Sequence, residues 1–461
     1  MIRATQLPAA VFKAYDIRGI VPDELDADFA RRLGLALAQQ ARQKNIDTIA
    51  VGYDGRHTSP SLSQALQQGL REGGVNSLDL GLAPTPVLYY GAHTLAAGSG
   101  VAITGSHNPP NYNGFKMMLG GKTLYGPDVA ALKPLMEGAW QAHSPQGQSH
   151  TRDLSQAYIN EISNSVRLER PLKIAIDCGN GVGGVIAPKL YRALGCEVIE
   201  LFCDVDGNFP NHHPDPADPA NLQDLIAAVK QHNCDLGLAF DGDADRLGVV
   251  TPSGEIIWPD RQLILFAQDV LRQRPGAPVI YDVKCSRHVG AEILKAGGQP
   301  LMWQTGHSLI KAKLAETQAP LAGEMSGHIF FNDRWYGFDD GLYTGARLLE
   351  ILSRHAKPGA VLEALPKGLS TPELKLEMEE GEPHALIKRL QNEGQFASAT
   401  EISTLDGVRA EYPQGFGLAR ASNTTPVVVL RFEGDTPQAL ETIKDEFRQA
   451  LGLLTDRPLP F

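Results

Sequence analysis

Val101-Ala102-Ile103-Thr104-Gly105-Ser106-His107-Asn108-Pro109 is an apolar run that breaks at a glycine and hands over to a polar loop. Such a run reads as a buried strand, and Gly105 with Asn108-Pro109 marks the turn that ends it. The same figure recurs twice. Leu236 to Phe240 runs into Asp241-Gly242-Asp243-Ala244-Asp245-Arg246, and Leu321-Ala322 runs into Gly323-Glu324-Met325-Ser326-Gly327-His328. Upstream of each, another strand ends in an aspartate: Asp54 after Ile49 to Tyr53, Asp177 after Ile174 to Ile176, and Asp282 after Val279 to Tyr281. Helix-like stretches separate the strands, and their spacing differs between the three occurrences, so what repeats is an architecture and not a fixed period. Three α/β units in series follow. The polar loops then all lie at carboxyl ends of strands, where ligands collect in open α/β sheets.

Before the first of these units, residues 26 to 45 read as a helix with an imperfect apolar stripe of Phe29, Leu33, Leu35, Leu37 and Ala41. From about residue 366 the texture changes. Val427 to Glu433 is a strong strand, Thr436 to Leu451 reads as a helix, and Asp406-Gly407 sits at a hairpin-like turn, which together predict a smaller α+β unit. Pro366, Gly368 and Pro372 punctuate the join and predict a hinge near Leu365 to Thr371, about which this last unit acts as a lid. The predicted domains are 1–150, 151–253, 254–366 and 367–461.

The chain has 461 residues, more than one core supports, and Lys+Arg 42 against Asp+Glu 53 leave a net charge of −11. That sign argues against a nucleic-acid binder and means that cations serving an anionic ligand must be placed locally. Five cysteines without a C-x-x-C pair fit reduced thiols. No leader-like N-terminus and no apolar run of about 18 residues is present, so the expectation is a cytoplasmic protein without a membrane partner.

Chemistry is suggested by four stretches. Ser106 sits in a Gly-flanked loop beside His107, as either a turn former or a nucleophile. Asp241, Asp243 and Asp245 stand at alternate positions in a loop, where three carboxylates can converge on one hard cation. Arg18, before Gly19, could reach a phosphate from what is otherwise an ordinary surface loop. Arg420-Ala421-Ser422-Asn423-Thr424-Thr425-Pro426 is a polar loop whose guanidinium, hydroxyls and backbone N–H groups are also suited to hold a phosphate. Other readings fail. Gly179-Asn180-Gly181-Val182-Gly183-Gly184 imitates a dinucleotide fingerprint, but Asp177 just before it would oppose a pyrophosphate, and a Gly-rich turn packing helix on strand accounts for it. An EF-hand from Asp241 would need Gly and Glu where Arg246 and Pro252 stand, and there is no P-loop.

With these stretches in view, the chain resembles the α-D-phosphohexomutases, most closely the bacterial phosphomannomutase/phosphoglucomutase branch. The resemblance covers nearly the whole length, includes Ala14-Tyr15-Asp16-Ile17-Arg18-Gly19, and has the motifs in the family's order. It implies an α/β fold of three similar domains with mixed sheets plus a smaller C-terminal α+β domain around a central cleft. It also implies an isomerase that interconverts hexose 1-phosphate and hexose 6-phosphate of mannose or glucose. By the same resemblance, Ser106 is a phosphoserine, and Asp241, Asp243, Asp245 and a phosphoserine oxygen hold one Mg²⁺. Glu324 and Ser326 take sugar hydroxyls, and Arg420, Ser422, Asn423, Thr424 and Thr425 grip the phosphate that is not reacting. Tyr15, Arg18, Lys116, Arg246, Lys284, His307 and His328 line the cleft, with His107 beside Ser106. Glucose 1,6-bisphosphate is the implied activator or intermediate, phosphorylated hexoses are the partners, and the chain is expected to be a monomer. His328 is the candidate general base, with His307 and Lys116 as rivals. Met325, where the phosphoglucosamine mutases carry Gln, favours mannose and glucose over that alternative. A non-catalytic sugar-phosphate binding protein, the other alternative, is expected to have lost Ser106 or one of the three aspartates, and all four are present.

Overall fold

The computed structural model describes residues 5–423 and 425–461. The first sheet runs Ile17–Ile20, Tyr112–Leu119, Gly100–Ile103, Thr48–Tyr53, Asn76–Leu82, Ser149–Thr151, with Lys122–Thr123 on Tyr112–Leu119. Its centre is parallel: Thr48–Tyr53 pairs with both Gly100–Ile103 and Asn76–Leu82. Tyr112–Leu119 is antiparallel to Gly100–Ile103. The second sheet repeats this plan. Its first strand, Lys173–Asp177, pairs in parallel with Glu197–Leu201 and Leu236–Phe240, and Leu247–Val250 returns antiparallel to Leu236–Phe240. In the third unit Pro278–Asp282 and Gln299–Trp303 form the corresponding parallel pair. The C-terminal sheet is antiparallel in every pair, running Leu369–Ser370, Val427–Gly434, Gly415–Ala421, Val408–Tyr412, Glu401–Ser403, with Leu374–Glu377 also on Val427–Gly434. The expected architecture of four domains, with mixed sheets in the α/β domains, is present.

The helix expected over 26–45 is Ala27–Gln43, started by the Asp26 carboxylate accepting from Phe29 N at 2.8 Å. Its stripe is imperfect because the helix is buried on more than one side, Leu35 and Ala36 included. The Gly-rich stretch after Asp177 becomes a 3-10 turn, Val182–Val185, and a helix, Ala187–Ala193. A Cβ on Gly184 would lie 1.9 Å from Cys203 O and one on Gly181 2.8 Å from Gly242 O, so these glycines serve close packing.

Two compact bodies emerge: Met1–Pro259 with Lys311–Leu321 and Ser326–Ala364, and Asp260–Ile310 with Ala322–Met325 and Leu365–Phe461. The C-terminal segment has a sheet of its own and falls in the same body as residues 260–310. Arg409 Nη1 donates to Val283 O at 2.6 Å and Cys285 O at 2.7 Å, Ser286 Oγ donates to Glu433 Oε1 at 2.9 Å, and Val283 packs with Phe416 and Leu418. Prolines and glycines near 366–372 report an interruption of regular structure but are silent on contacts made far away in sequence. Among the described residues no helix is long and apolar enough to cross a membrane.

Candidate active site

In the first body, the strand Gly100–Ile103 ends where Gly105 N donates to Asp54 Oδ2 at 3.1 Å, which turns the loop back over the first strand. Ser106 follows in left-handed backbone, φ +47°. Its Oγ donates to Asp241 Oδ2 at 2.8 Å and lies 3.1 Å from His107 Nδ1. The loops meet closely: a Cβ on Gly242 would lie 2.2 Å from Ser106 O. Asp241, Asp243 and Asp245 each show 0 % exposure, and one ligand oxygen from each lies within 4.8 Å of the others. Lys116, on the strand Tyr112–Leu119, donates from Nζ to Asp243 Oδ2 at 2.7 Å and to Asp245 Oδ2 at 2.5 Å.

Buried charge of both signs is concentrated here. Burial, then Asp243 and Asp245, push the Asp241 carboxyl well above the usual range. Burial works the same way on Asp245, but Lys116 and His328 hold it well below. For Lys116 burial is outweighed by Asp243 and Asp245, which hold the ammonium above its ordinary value. His107 is pushed well below the usual imidazole value by burial and by Arg246, Arg18 and Lys116. Arg246 Nη2 lies 2.6 Å from His107 Nδ1, and its Nε donates to His328 Nε2 at 3.3 Å. His328 Nδ1 is 2.9 Å from Ser326 Oγ, and its Nε2 is 3.4 Å from Asp245 Oδ1. Arg18 donates to Asn108 Oδ1 and Asp16 Oδ2, both at 2.5 Å, while Tyr15 is half-buried in the turn just before.

The donor set fits a hard divalent cation. Asp243 Oδ1 and Asp245 Oδ1 are buried without a hydrogen-bond partner among the described residues, and carboxylate oxygens clustered in this way are the ligands Mg²⁺ takes.

The second body holds the remaining candidates. Glu324 Oε1 accepts from Gly306 N at 2.6 Å, directly before His307, which opens the helix His307–Thr317. Lys284 Nζ donates to Glu373 Oε1 at 2.6 Å; burial would lower this ammonium, but Glu373 and Asp282 raise it. Arg420 ends the strand Gly415–Ala421 with its Nε on Asp406 Oδ2 at 3.0 Å. Beyond it Ser422 Oγ lies 3.1 Å from Thr425 Oγ1 and accepts from Thr425 N at 3.3 Å. Asn423 lines a cavity of about 460 Å³ together with Thr305, Asp406 and Lys388. Thr424 lies outside the described residues.

Sequence reasoning passed over several residues that build this site. Arg56, 1 % exposed, donates to the carbonyls of Ser106 (2.8 Å), Asn108 (2.7 Å), Tyr112 (2.9 Å) and Pro109. Thr85 Oγ1 donates to Asp243 Oδ2 at 2.6 Å, and His213 Nε2 contacts His107 O. The only sign of Arg56 was its place after Asp54-Gly55 at a strand end. Nothing in sequence marked Thr85 or His213.

Four family models cover the chain in order: phosphoglucomutase/phosphomannomutase α/β/α domain I over residues 9–138, domain II over 156–254, domain III over 258–368 and the C-terminal domain over 373–450. The chain belongs to the phosphoglucomutase/phosphomannomutase family. Among its relatives, the phosphoglucomutase of Neisseria gonorrhoeae is 56% identical over 96% of this chain and 96% of that protein. The phosphomannomutase/phosphoglucomutase of Pseudomonas aeruginosa is 53% identical over 100% of this chain and 99% of that one. A crystal structure of a phosphoglucomutase/phosphomannomutase family protein from Burkholderia thailandensis superposes with a TM-score of 0.94 at 53% identity, covering 99% of this chain and 100% of that one. For a member of this family, the buried carboxylates beside a strained serine are the arrangement that calls for a chemical reading.

Proposed function

We propose that this chain is a phosphohexomutase that reversibly interconverts the 1- and 6-phosphates of glucose and mannose through phosphorylated Ser106 and a hexose 1,6-bisphosphate. The observation that carries the reading is the Ser106 hydroxyl, held in a strained turn 2.8 Å from a buried carboxylate of the three-aspartate loop. In the first half-reaction a hydroxyl of the hexose monophosphate attacks phosphoserine. The new P–O bond forms to the sugar, the bond to Ser106 Oγ breaks, the hydroxyl proton passes to a base and the freed Oγ takes up a proton. In the second half the bisphosphate, turned end for end, returns its other phosphate: the P–O bond to the sugar breaks, a bond to Ser106 Oγ forms, the Oγ proton leaves and the released sugar oxygen is protonated.

His328 is the base we assign, ahead of His307 and Lys116. Its Nε2 lies 3.3 Å from Arg246 Nε and 3.4 Å from Asp245 Oδ1, and its Nδ1 lies 2.9 Å from Ser326 Oγ, so the ring stands among groups that can exchange a proton with either nitrogen. Asp241, Asp243, Asp245 and a phosphoserine oxygen would hold Mg²⁺, which when bound neutralises charge on a phosphoryl group in transfer. Lys116, Arg246, Arg18 and His107 surround the same oxygens with positive or donor groups. Arg420, Ser422, Asn423, Thr424 and Thr425 hold the phosphate that is not reacting, while Glu324 and Ser326 take hydroxyls and Tyr15, Lys284 and His307 complete the lining. We assign these roles to domains 1–150, 151–253, 254–366 and 367–461 of a cytoplasmic monomer that does not engage nucleic acid or membrane.

Coupled assays with glucose 1-phosphate, mannose 1-phosphate and glucosamine 1-phosphate test this, with glucose 1,6-bisphosphate as activator. Turnover of the first two, loss by several orders of magnitude in Ser106→Ala, and loss in excess chelator with recovery on Mg²⁺ are the expected results. Preference for glucosamine 1-phosphate would move the chain to the amino-sugar branch. Undiminished turnover in Ser106→Ala would overturn the mechanism.

A further inference from the structure

The Asp406-Gly407 turn, a hairpin feature in sequence, has no part in the reaction described so far. In the structure it joins Glu401–Ser403 to Val408–Tyr412 and comes close to the end of the strand Gly415–Ala421, at Arg420. Gly407 has φ +88°, and a Cβ there would be 2.3 Å from Ala419 O and 2.7 Å from Arg420 Cα. Only a glycine lets the turn come this close. The carboxylate it presents is shared. Asp406 Oδ2 accepts from Arg420 Nε at 3.0 Å and from Thr305 N at 2.9 Å.

Thr305 belongs to the loop between Gln299–Trp303 and His307–Thr317, whose backbone meets Glu324, a sugar-hydroxyl candidate. Its Oγ1 donates to Asp282 Oδ2 at 3.0 Å, the next amide, Gly306 N, donates to Glu324 Oε1, and His307 follows. Gln304 Nε2 donates to Leu405 O at 2.8 Å, pinning the same loop to the residue before Asp406. One carboxylate oxygen therefore fastens both a guanidinium, itself 4 % exposed, and the backbone beside Glu324 and His307. An arginine has five donors in a rigid plane. Engaging Nε fixes the orientation of that plane, while the carboxylate offsets the cost of burying the cation.

We propose that Asp406 is a positioning residue: it sets the Arg420 guanidinium relative to the Thr305–His307 loop, and so fixes the spacing at which the non-reacting phosphate and the sugar hydroxyls of a hexose phosphate are held. The proposal rests on the phosphate-grip reading of residues 420–425. A carboxylate that merely shaped the turn would affect stability and leave substrate affinity alone. A positioning carboxylate acts on both arms of the grip.

Steady-state kinetics of the full chain with glucose 1-phosphate decide between these, using Asp406→Asn, Asp406→Glu, Arg420→Lys, and the double variant Asp406→Asn/Arg420→Lys. Asparagine keeps the shape and loses the charge, glutamate keeps the charge one methylene out of place, and lysine keeps the cation but lacks Nε. We expect KM to rise about tenfold in Asp406→Asn and Arg420→Lys, with kcat within about threefold of the parent. The double variant should be no worse than the poorer single one, because both remove the same bond. Asp406→Glu should fall between parent and Asp406→Asn, and it decides the matter if the asparagine variant does not fold. A KM for a folded Asp406 variant within twofold of the parent, or penalties that add in the double variant, would overturn the proposal. An inactive parent refutes the mutase reading instead. Asp406 is then judged by the Kd of glucose 6-phosphate from titration calorimetry, where equal values for parent and Asp406→Asn count against it.

Discussion

Ser106 is where local preference and place in the fold part company. A serine at φ +47° costs about 1–3 kcal/mol relative to ordinary backbone. The surroundings over-determine it: Ser106 N donates to Thr104 Oγ1 at 2.7 Å, and Arg56 grasps the carbonyls on either side of His107. A few residues away in space, His212 shows the other side of the same principle. Its Nδ1 lies 2.9 Å from His213 O and its Nε2 3.0 Å from Asp177 Oδ2, so both nitrogens face acceptors and the ring is best matched as imidazolium. Burial lowers this pKa, but the hydrogen bond and charge of Asp177 raise it above the ordinary value. A raised folded-state pKa means that the pair's contribution to stability is complete below about pH 6.5 and is lost as pH climbs through the folded value. The difference in melting temperature between parent and His212→Gln should accordingly be largest near pH 6 and shrink by pH 8.5. A difference that does not vary with pH would show that the imidazole contributes packing alone.

Two helices illustrate how an element can be named correctly while its partner is invisible. Ala27–Gln43 and Ser59–Glu72 cross at paired glycines: a Cβ on Gly34 would lie 2.2 Å from Leu66 O, and one on Gly69 2.0 Å from Arg31 O. In an isolated helix Gly69→Ala gains about 1 kcal/mol of propensity. Here the clash falls on backbone atoms that cannot rotate away, and overpacking of this kind costs about 1–3 kcal/mol or more. We expect a net loss of about 1–2 kcal/mol, read as a lower melting temperature with the hexose-phosphate KM unchanged. A variant as stable as the parent would mean that the helices separate without penalty. Strands show less of this dependence. Thr48–Tyr53, Lys173–Asp177 and Pro278–Asp282 each end at the aspartate or just before it, because an apolar run bounded by turn residues specifies a buried strand in any context.

Over the full chain, a net charge of −11 coexists with Lys116, Arg246 and Arg18 gathered near His107 and Ser106, and with Arg420 and Lys284 in the second body. The composition of that second body leads to a prediction about truncation. Residues 260–310 bury Val283 against Phe416 and Leu418, pair Asp260 with Arg431 at 3.4 Å, and satisfy Ser286 through Glu433. Deleting 367–461 would expose the first contact and strip partners from the other two. Limited proteolysis of a 1–366 chain should therefore cleave within 260–310 at least about tenfold faster than in the full chain. Equal resistance would show that the third α/β segment is stable by itself.

The sequence by itself determined the order of strands and helices, the three-fold recurrence of an α/β plan, the smaller α+β unit at the C-terminal end, and the loops that carry Ser106, the three aspartates, Glu324 and Arg420. Those features depend on local patterning: apolar runs, turn residues, and polar groups at strand ends. Only the tertiary structure decided that Arg56 and Thr85 build the serine and metal loops, that Lys116 bridges Asp243 and Asp245, that Asp406 reaches both Arg420 and Thr305, and that the last segment shares a body with residues 260–310. Each joins residues distant in sequence, and nothing in the neighbourhood of either partner records the pairing. Burial then makes the pairing obligatory, since a charged group out of water must find its counterpart wherever the fold supplies it.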